Sequence, residues 1–103
     1  MATTVVLTWN KNTEPDLAGY NVYRAIGSAP VKGITPKLNT GMVAISTPTY
    51  QDVLTGAAVD GDYWYAVSAV DTAGNESAFS ASADKVINVV PPAAPTGLVL
   101  TIQ

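Results

Sequence analysis

Short segments of alternating apolar and polar residues dominate this sequence and restrict what it can fold into. In the longest of them, YWYAVSAVD at residues 63–71, every second residue from Tyr63 to Ala69 shares one face. Successive side chains of an extended strand point to opposite faces, so a period of two residues is typical of a half-buried β-strand. The same pattern recurs in four shorter segments: TVVLTW (4–9), YNVYRAI (20–26), YQDVL (50–54) and KVINVV (85–90).

Turn-forming residues separate these segments. The stretch from 27 to 48 carries three glycines and three prolines, with one further edge strand predicted at GMVAIS (41–46). Glycine and proline punctuate a chain because they favour turn geometries and interrupt strand pairing. Six or seven short strands, no convincing helix and 103 residues predict a single all-β domain, an immunoglobulin-like antiparallel β-sandwich.

The composition argues against catalysis. Hydrophobic residues make up 48% of the chain and charged residues 13%, which is unlike a disordered protein. The chain has no Cys and no His, so disulfides, the usual zinc ligands and the commonest general base are absent. The closest acidic pairs, Asp60 with Asp62 and Asp71 with Glu76, lie in or beside predicted turns, where carboxylates stabilise tight backbone geometry. We therefore expect no enzyme activity, no cofactor and no metal site.

Charge and hydropathy also limit the partners. A formal net charge of −3 offers no electrostatic attraction for nucleic acid or for anionic lipid surfaces. No apolar run approaches the ~20 residues that a membrane-spanning helix needs, and the first residues lack the pattern of a signal peptide. The abundance of Thr, Ala and Val with few Lys favours an extracellular or cell-surface β-protein whose signal peptide is not in this chain.

Two long segments carry a family resemblance. LTWNKNTEPDLAGYNVYR (7–24) resembles strands B and C of a bacterial-type fibronectin type III domain, and YWYAVSAVDTAGNESAFS (63–80) resembles strand F, the F–G loop and the start of strand G. Together they cover most of residues 5–90. The resemblance implies a two-sheet sandwich in which strands A, B and E face strands C′, C, F and G. It also implies that Trp9 is a core tryptophan and that Tyr63 occupies the tyrosine-corner position.

The C-terminal segment departs from that family pattern. Only residues 1–4 precede the predicted strand B, whereas PAAPTGLVLTIQ (92–103) is similar to a strand A placed at the other end. The sequence therefore predicts a sandwich without its first strand over 1–90 and a proline-rich link plus tail over 91–103. A link from Pro91 to Pro95 spans ~16 Å in polyproline geometry, less than the ~25–30 Å that separates the two ends of such a sandwich.

Three outcomes stay open for this tail. It begins a following domain, it inserts into a neighbouring molecule, or it packs on its own domain in an unusual direction. Insertion into a neighbour predicts head-to-tail self-assembly, because an exposed strand edge is a template for another strand. The residues predicted to form that self-assembly strand are Pro95, Gly97, Leu98, Leu100 and Ile102.

A second predicted site is an aromatic patch. Tyr23 and Trp64 point away from the predicted core on neighbouring strands, where exposed rings stack on sugars or anchor a protein partner. The alternative is that residues 27–48 cover both rings.

The sequence thus favours a non-catalytic structural or adhesion module that binds itself or a neighbouring domain. The alternative function is a spacer or carbohydrate-binding accessory module of a larger secreted protein.

Overall fold

A computed structural model of the protein describes residues 3–54, 60–88 and 94–102. Within these ranges it contains five β-strands and no helix: β1 (Thr3–Thr8), β2 (Leu17–Ile26), β3 (Thr49–Leu54), β4 (Gly61–Asp71) and β5 (Ala83–Ile87). They form two antiparallel sheets, one of order β1-β3 and one of order β2-β4-β5. The all-β prediction is confirmed, while the described strands are fewer than the six or seven predicted.

Residues 37–43, which overlap the edge strand predicted at 41–46, make only isolated bridges to β2. Val43 and Tyr20 exchange two backbone hydrogen bonds of 2.9 and 3.1 Å, and Leu38 N–H donates to the Val22 carbonyl at 2.7 Å. The Asn39 side chain accepts from Val22 N–H at 2.7 Å. Glycines and prolines keep this segment from forming a regular strand. It nevertheless satisfies part of the outer edge of β2, which would otherwise be open to pairing.

The register of β2 and β4 confirms the predicted strand faces. Tyr20 pairs with Ala69 and Val22 with Val67, so Tyr20, Val22 and the predicted inner residues of β4 share one side of the sheet. Tyr20 and Val22 are 1% and 0% exposed. Trp9 packs edge-on against Tyr20, with ring centroids 5.3 Å apart. The opposite face is also buried, for example at Ala66 and Ser68, so the alternation located the strands without separating a buried face from an exposed one.

The two sheets meet in one hydrophobic cluster. Leu54 of β3 lies with Tyr63 and Tyr65 of β4 and with Ile87 of β5, and all four are buried. Val5 and Leu7 of β1 pack against this cluster. The predicted partner of the Tyr63 hydroxyl, the connection before β4, lies largely outside the described residues. The ring itself is 6% exposed, so Tyr63 is a core residue.

A partly buried ion pair also joins the sheets. The Arg24 guanidinium of β2 donates to both carboxylate oxygens of Asp52 in β3, at 3.0 and 2.8 Å. The Tyr65 hydroxyl donates to the same carboxylate at 2.7 Å. Burial and this hydrogen bond raise the pKa of Tyr65, so its hydroxyl remains a donor. Asp52 therefore holds β3 against β2 and β4.

Replacing Asp52 tests this connection. We expect Asp52→Ala to lower the free energy of unfolding by about 3 kcal/mol, because it leaves the Arg24 charge and the Tyr65 hydroxyl without their acceptor. The low end of the usual range applies because the Arg24 side chain is 30% exposed. Urea denaturation followed by tryptophan fluorescence measures the change. Gln51→Ala, at the exposed neighbouring position, serves as the control and is expected to stay within about 0.5 kcal/mol of wild type; equal losses in both variants would contradict the prediction.

Candidate strand-accepting groove

The first strand is paired along only one edge. β1 runs antiparallel to β3, from Thr3 opposite Leu54 to Thr8 opposite Thr49. Among residues 3–54, 60–88 and 94–102, no strand pairs with the opposite edge of β1. A strand edge of this kind presents a row of backbone N–H and C=O groups that can pair with another chain.

An open groove lies beside that edge. It has a volume of about 760 Å³ and runs between residues 3–9 on one side and β5 with residues 80 and 81 on the other, with residues 65–67 of β4 also lining it. Its lining is largely apolar, and Asp84 and Lys85 are the charged residues in it. The groove is therefore an open, largely apolar gap between the edges of the two sheets.

The hydrophobic core is incompletely covered at this groove. Val5 and Leu7 are only half-buried, although both pack against the core cluster. The buried indole N–H of Trp9, at the end of the groove, has no hydrogen-bond acceptor within the described part of the chain. A buried donor without an acceptor costs ~1–3 kcal/mol. A segment lying in the groove would cover the apolar side chains and bring backbone carbonyls close to this end.

The segment predicted as a self-assembly strand is exposed. Leu98, Leu100 and Ile102 are 86%, 86% and 98% exposed, and Val99 is 78% exposed. Residues 94–102 carry no charged side chain and form no strand in the single chain. Pro95 is exposed, and Gly97 adopts a φ of 76°, a left-handed conformation that glycine allows without strain. The predicted residues thus present an uncovered apolar segment.

The two residues of the predicted aromatic patch, Tyr23 and Trp64, are not both exposed. Tyr23 is 8% exposed, stacks on Phe79 with ring centroids 4.3 Å apart, and donates its hydroxyl to Glu76. Trp64 is half-buried, and its indole N–H donates to Asp62 at 2.9 Å. Because the Tyr23 ring is buried, it offers no exposed platform beside Trp64. Its cover comes from Phe79 and Glu76, in the segment after β4, and not from residues 27–48 alone.

Glu76 organises the outer face of the β2–β4 pair. Its carboxylate accepts hydrogen bonds from the Ser68 and Tyr23 hydroxyls and from Asn21 Nδ2, the last at 3.4 Å. Burial alone would raise the pKa of Glu76, but these hydrogen bonds together with the Lys32 charge outweigh it and lower the pKa. A carboxylate engaged in this way is a structural acceptor. The sequence offered little signal for it, because its partners lie 8 to 55 residues away.

Asp71 has the turn role predicted for it. Its carboxylate accepts the backbone N–H groups of Ala73 and Asn75 at 2.9 and 2.8 Å, and the Asn75 side chain at 3.0 Å. The hydrogen bonds from Asn75 lower the pKa of Asp71, and the hydrogen bond from Ala73 lowers it to a smaller extent. Within the described ranges, no cluster of three acidic, histidine or cysteine side chains could hold a metal ion. The same residues contain no helix that could span a membrane.

The comparisons with known proteins add one relative. Chitinase Chi52 of Paenibacillus xylanexedens is 37% identical to this chain over 81 residues, which are 78% of this chain and 13% of the chitinase. The chain therefore spans a small part of that protein. No known protein-family model matches the sequence.

The Glu76 contacts predict how stability depends on pH. A carboxylate whose pKa is lower in the folded state contributes stability above its unfolded pKa, and loses it as the pH falls through the folded value. Glu76→Gln should therefore reduce the melting temperature most at neutral pH and progressively less below about pH 4. Thermal melts from pH 7 to pH 2.5 measure this. The exposed Glu14→Gln is the control, and parallel curves for wild type and Glu76→Gln would show that the contacts do not stabilise the fold.

Proposed function

We propose that this chain is a non-catalytic structural or adhesion module of an extracellular protein. In this proposal it is a fibronectin type III-like β-sandwich whose two-stranded sheet is completed by one additional β-strand. The observation that carries the proposal is the apolar groove along the unpaired edge of β1.

The order and pairing of the strands support the fibronectin type III-like assignment. β1 and β3 pair as strands B and E of that family do, and β2, β4 and β5 form a sheet in the order of strands C, F and G. Residues 37–43 run along the outer edge of β2, where the family has strand C′. In this arrangement the unfilled groove occupies the place of strand A.

The environment of the acidic residues supports a non-catalytic role. Asp52, Asp71 and Glu76 accept two or more hydrogen bonds each from neighbouring groups. Glycoside hydrolysis needs two carboxylates facing a cleft with opposed pKa values. The groove is instead lined along one side by the threonines and aliphatic residues of β1, which suits strand pairing.

The similarity to part of a chitinase favours a second candidate, an accessory or spacer module in a larger secreted protein. The aligned region is a small fraction of that relative, which is the expected relation for a module repeated in different proteins. Carbohydrate binding by such a module would depend on the half-buried Trp64. Titration with chito-oligosaccharides, followed by tryptophan fluorescence in wild type and Trp64→Ala, tests this candidate; a saturable change lost in Trp64→Ala would support it.

Adding synthetic peptides to the intact chain tests whether the groove binds a strand. We expect peptides with an alternating apolar pattern, including one with the sequence of residues 94–102, to raise the melting temperature and slow amide exchange in β1. Both effects follow because a bound strand pairs with the free edge and covers the half-buried residues of β1. Hydrogen exchange detected by NMR measures the protection residue by residue.

The matched control for that experiment is the same peptide with proline replacing Val99 and Thr101, which removes backbone donors while keeping the Leu and Ile side chains. Protection by the alternating peptide alone supports the proposed function. If no peptide protects β1 at any concentration, and β1 is equally unprotected in the concentrated protein, the groove does not accept strands.

A further inference from the structure

We infer that the strand completing the groove is the C-terminal segment of a second copy of this chain, with residues 96–102 of one subunit pairing with β1 of the next. This inference rests on the proposed function, because it names the partner of the same groove. Each subunit would then donate one strand and accept another.

The two surfaces are chemically complementary. Leu98, Leu100 and Ile102 recur at the period of a strand and therefore share one face of an extended segment. In the single chain these side chains contact almost nothing, and the groove beside Val5 and Leu7 lacks cover for its apolar floor. Seven residues extend ~24 Å, enough to follow the six residues of β1, which extend ~20 Å.

The charge distribution fits the same partner. The donated segment has no charged side chain, so placing it in the groove brings no unpaired charge into an apolar environment. The two charged residues of the groove, Asp84 and Lys85, are exposed on β5 and keep access to water. A segment rich in Asp, Glu or Lys would meet a less favourable site.

The end of β5 determines how far the C-terminal segment of a chain must travel to reach the groove of the same chain. Ile87 pairs with Gly61 and packs with Leu54, whose backbone partner is Thr3. The end of β5 therefore lies at the Thr3 end of β1. A strand antiparallel to β1 must enter at the Thr8 end, so a same-chain closure has to travel the length of β1, ~20 Å in a straight line.

This geometry corrects the link length taken from the sequence. Because β5 ends at Ile87 and not at residue 90, the link comprises residues 88–95, which reach ~25 Å when fully extended in polyproline geometry. The sequence-based conclusion that the link is far too short is therefore wrong. Same-chain closure needs an almost fully stretched link along a curved surface, whereas a second copy has no such requirement.

The form of the contact determines the assembly. The donated segment and the groove are different surfaces, so the contact is heterologous. Repetition of a heterologous contact gives a filament, or a ring where the rotation between subunits closes. Prolines in the link would limit its flexibility and make the spacing between subunits regular.

Complementary variants test the inference. Leu98→Asp with Leu100→Asp disables the donated segment, and both positions are exposed, so folding should be unaffected. Ala81→Arg obstructs the groove from an exposed lining position, and Ala83→Arg is a second variant of the same kind. The controls are Val99→Asp, on the opposite face of the tail, and Ala73→Arg, in an exposed turn away from the groove.

We expect the mass of wild type, measured by light scattering after size exclusion, to rise with protein concentration, with extended particles in electron micrographs. The donor variant and the groove variant should each remain monomeric. Mixed in equal amounts they should form dimers and nothing larger, because the intact tail of one fits the intact groove of the other. Val99→Asp should keep at least part of the assembly, and Ala73→Arg should assemble as wild type does.

Other outcomes would contradict either the second-copy inference or the proposed function. Unchanged assembly of the donor variant, or monomeric wild type at every concentration, would overturn the inference; if alternating peptides still protect β1, the proposed function stands without it. A loss of thermal stability in the donor variant that is independent of concentration would show same-chain closure instead. Assembly that persists in both groove variants while no peptide protects β1 would overturn the proposed function as well.

Discussion

The two-stranded sheet of β1 and β3 is the element on which this fold depends. A two-stranded sheet is marginally stable in water and needs a hydrophobic face packed against another layer. Here that layer is the sheet of β2, β4 and β5, reached through Leu54 and the half-buried residues of β1. The pairing of Arg24 with Asp52 fixes the same two layers by charge. Within the described residues, the sheet that most needs support thus also has an unpaired edge at β1.

Alternation in the sequence predicted where the main strands lie. The inner faces of β2 and β4 followed directly from the period of two, since Tyr20, Tyr63 and Tyr65 stand on the side that the pattern indicated. The polar contacts between side chains on those faces could not be predicted from the alternation. Asp52 meets Arg24 across 28 residues, and Glu76 meets Tyr23 across 53, so no local pattern connects either pair.

Strand ends were harder to predict than strand identity, and one end matters for the proposed assembly. KVINVV continues past Ile87 with Asn88 and two valines, and periodicity alone cannot show where pairing with β4 stops. The last strand ends where Ile87 pairs with Gly61, the first residue of β4. The same limit applies to Phe79, whose stacking on Tyr23 depends on how the chain after β4 folds back over the sheet.

In the proposed assembly, the donated strand would need both the free edge of β1 and the apolar groove. Burying Leu98, Leu100 and Ile102 contributes about 5–9 kcal/mol, whereas ordering seven residues of backbone costs about 7–14 kcal/mol. Side-chain burial alone therefore does not hold the segment. Backbone hydrogen bonds to β1, each worth about 1 kcal/mol net, offset the ordering cost, but association also costs at least about 4 kcal/mol of translational and rotational freedom. The proposed contact is therefore weak, and assembly through it would be reversible and would depend on protein concentration.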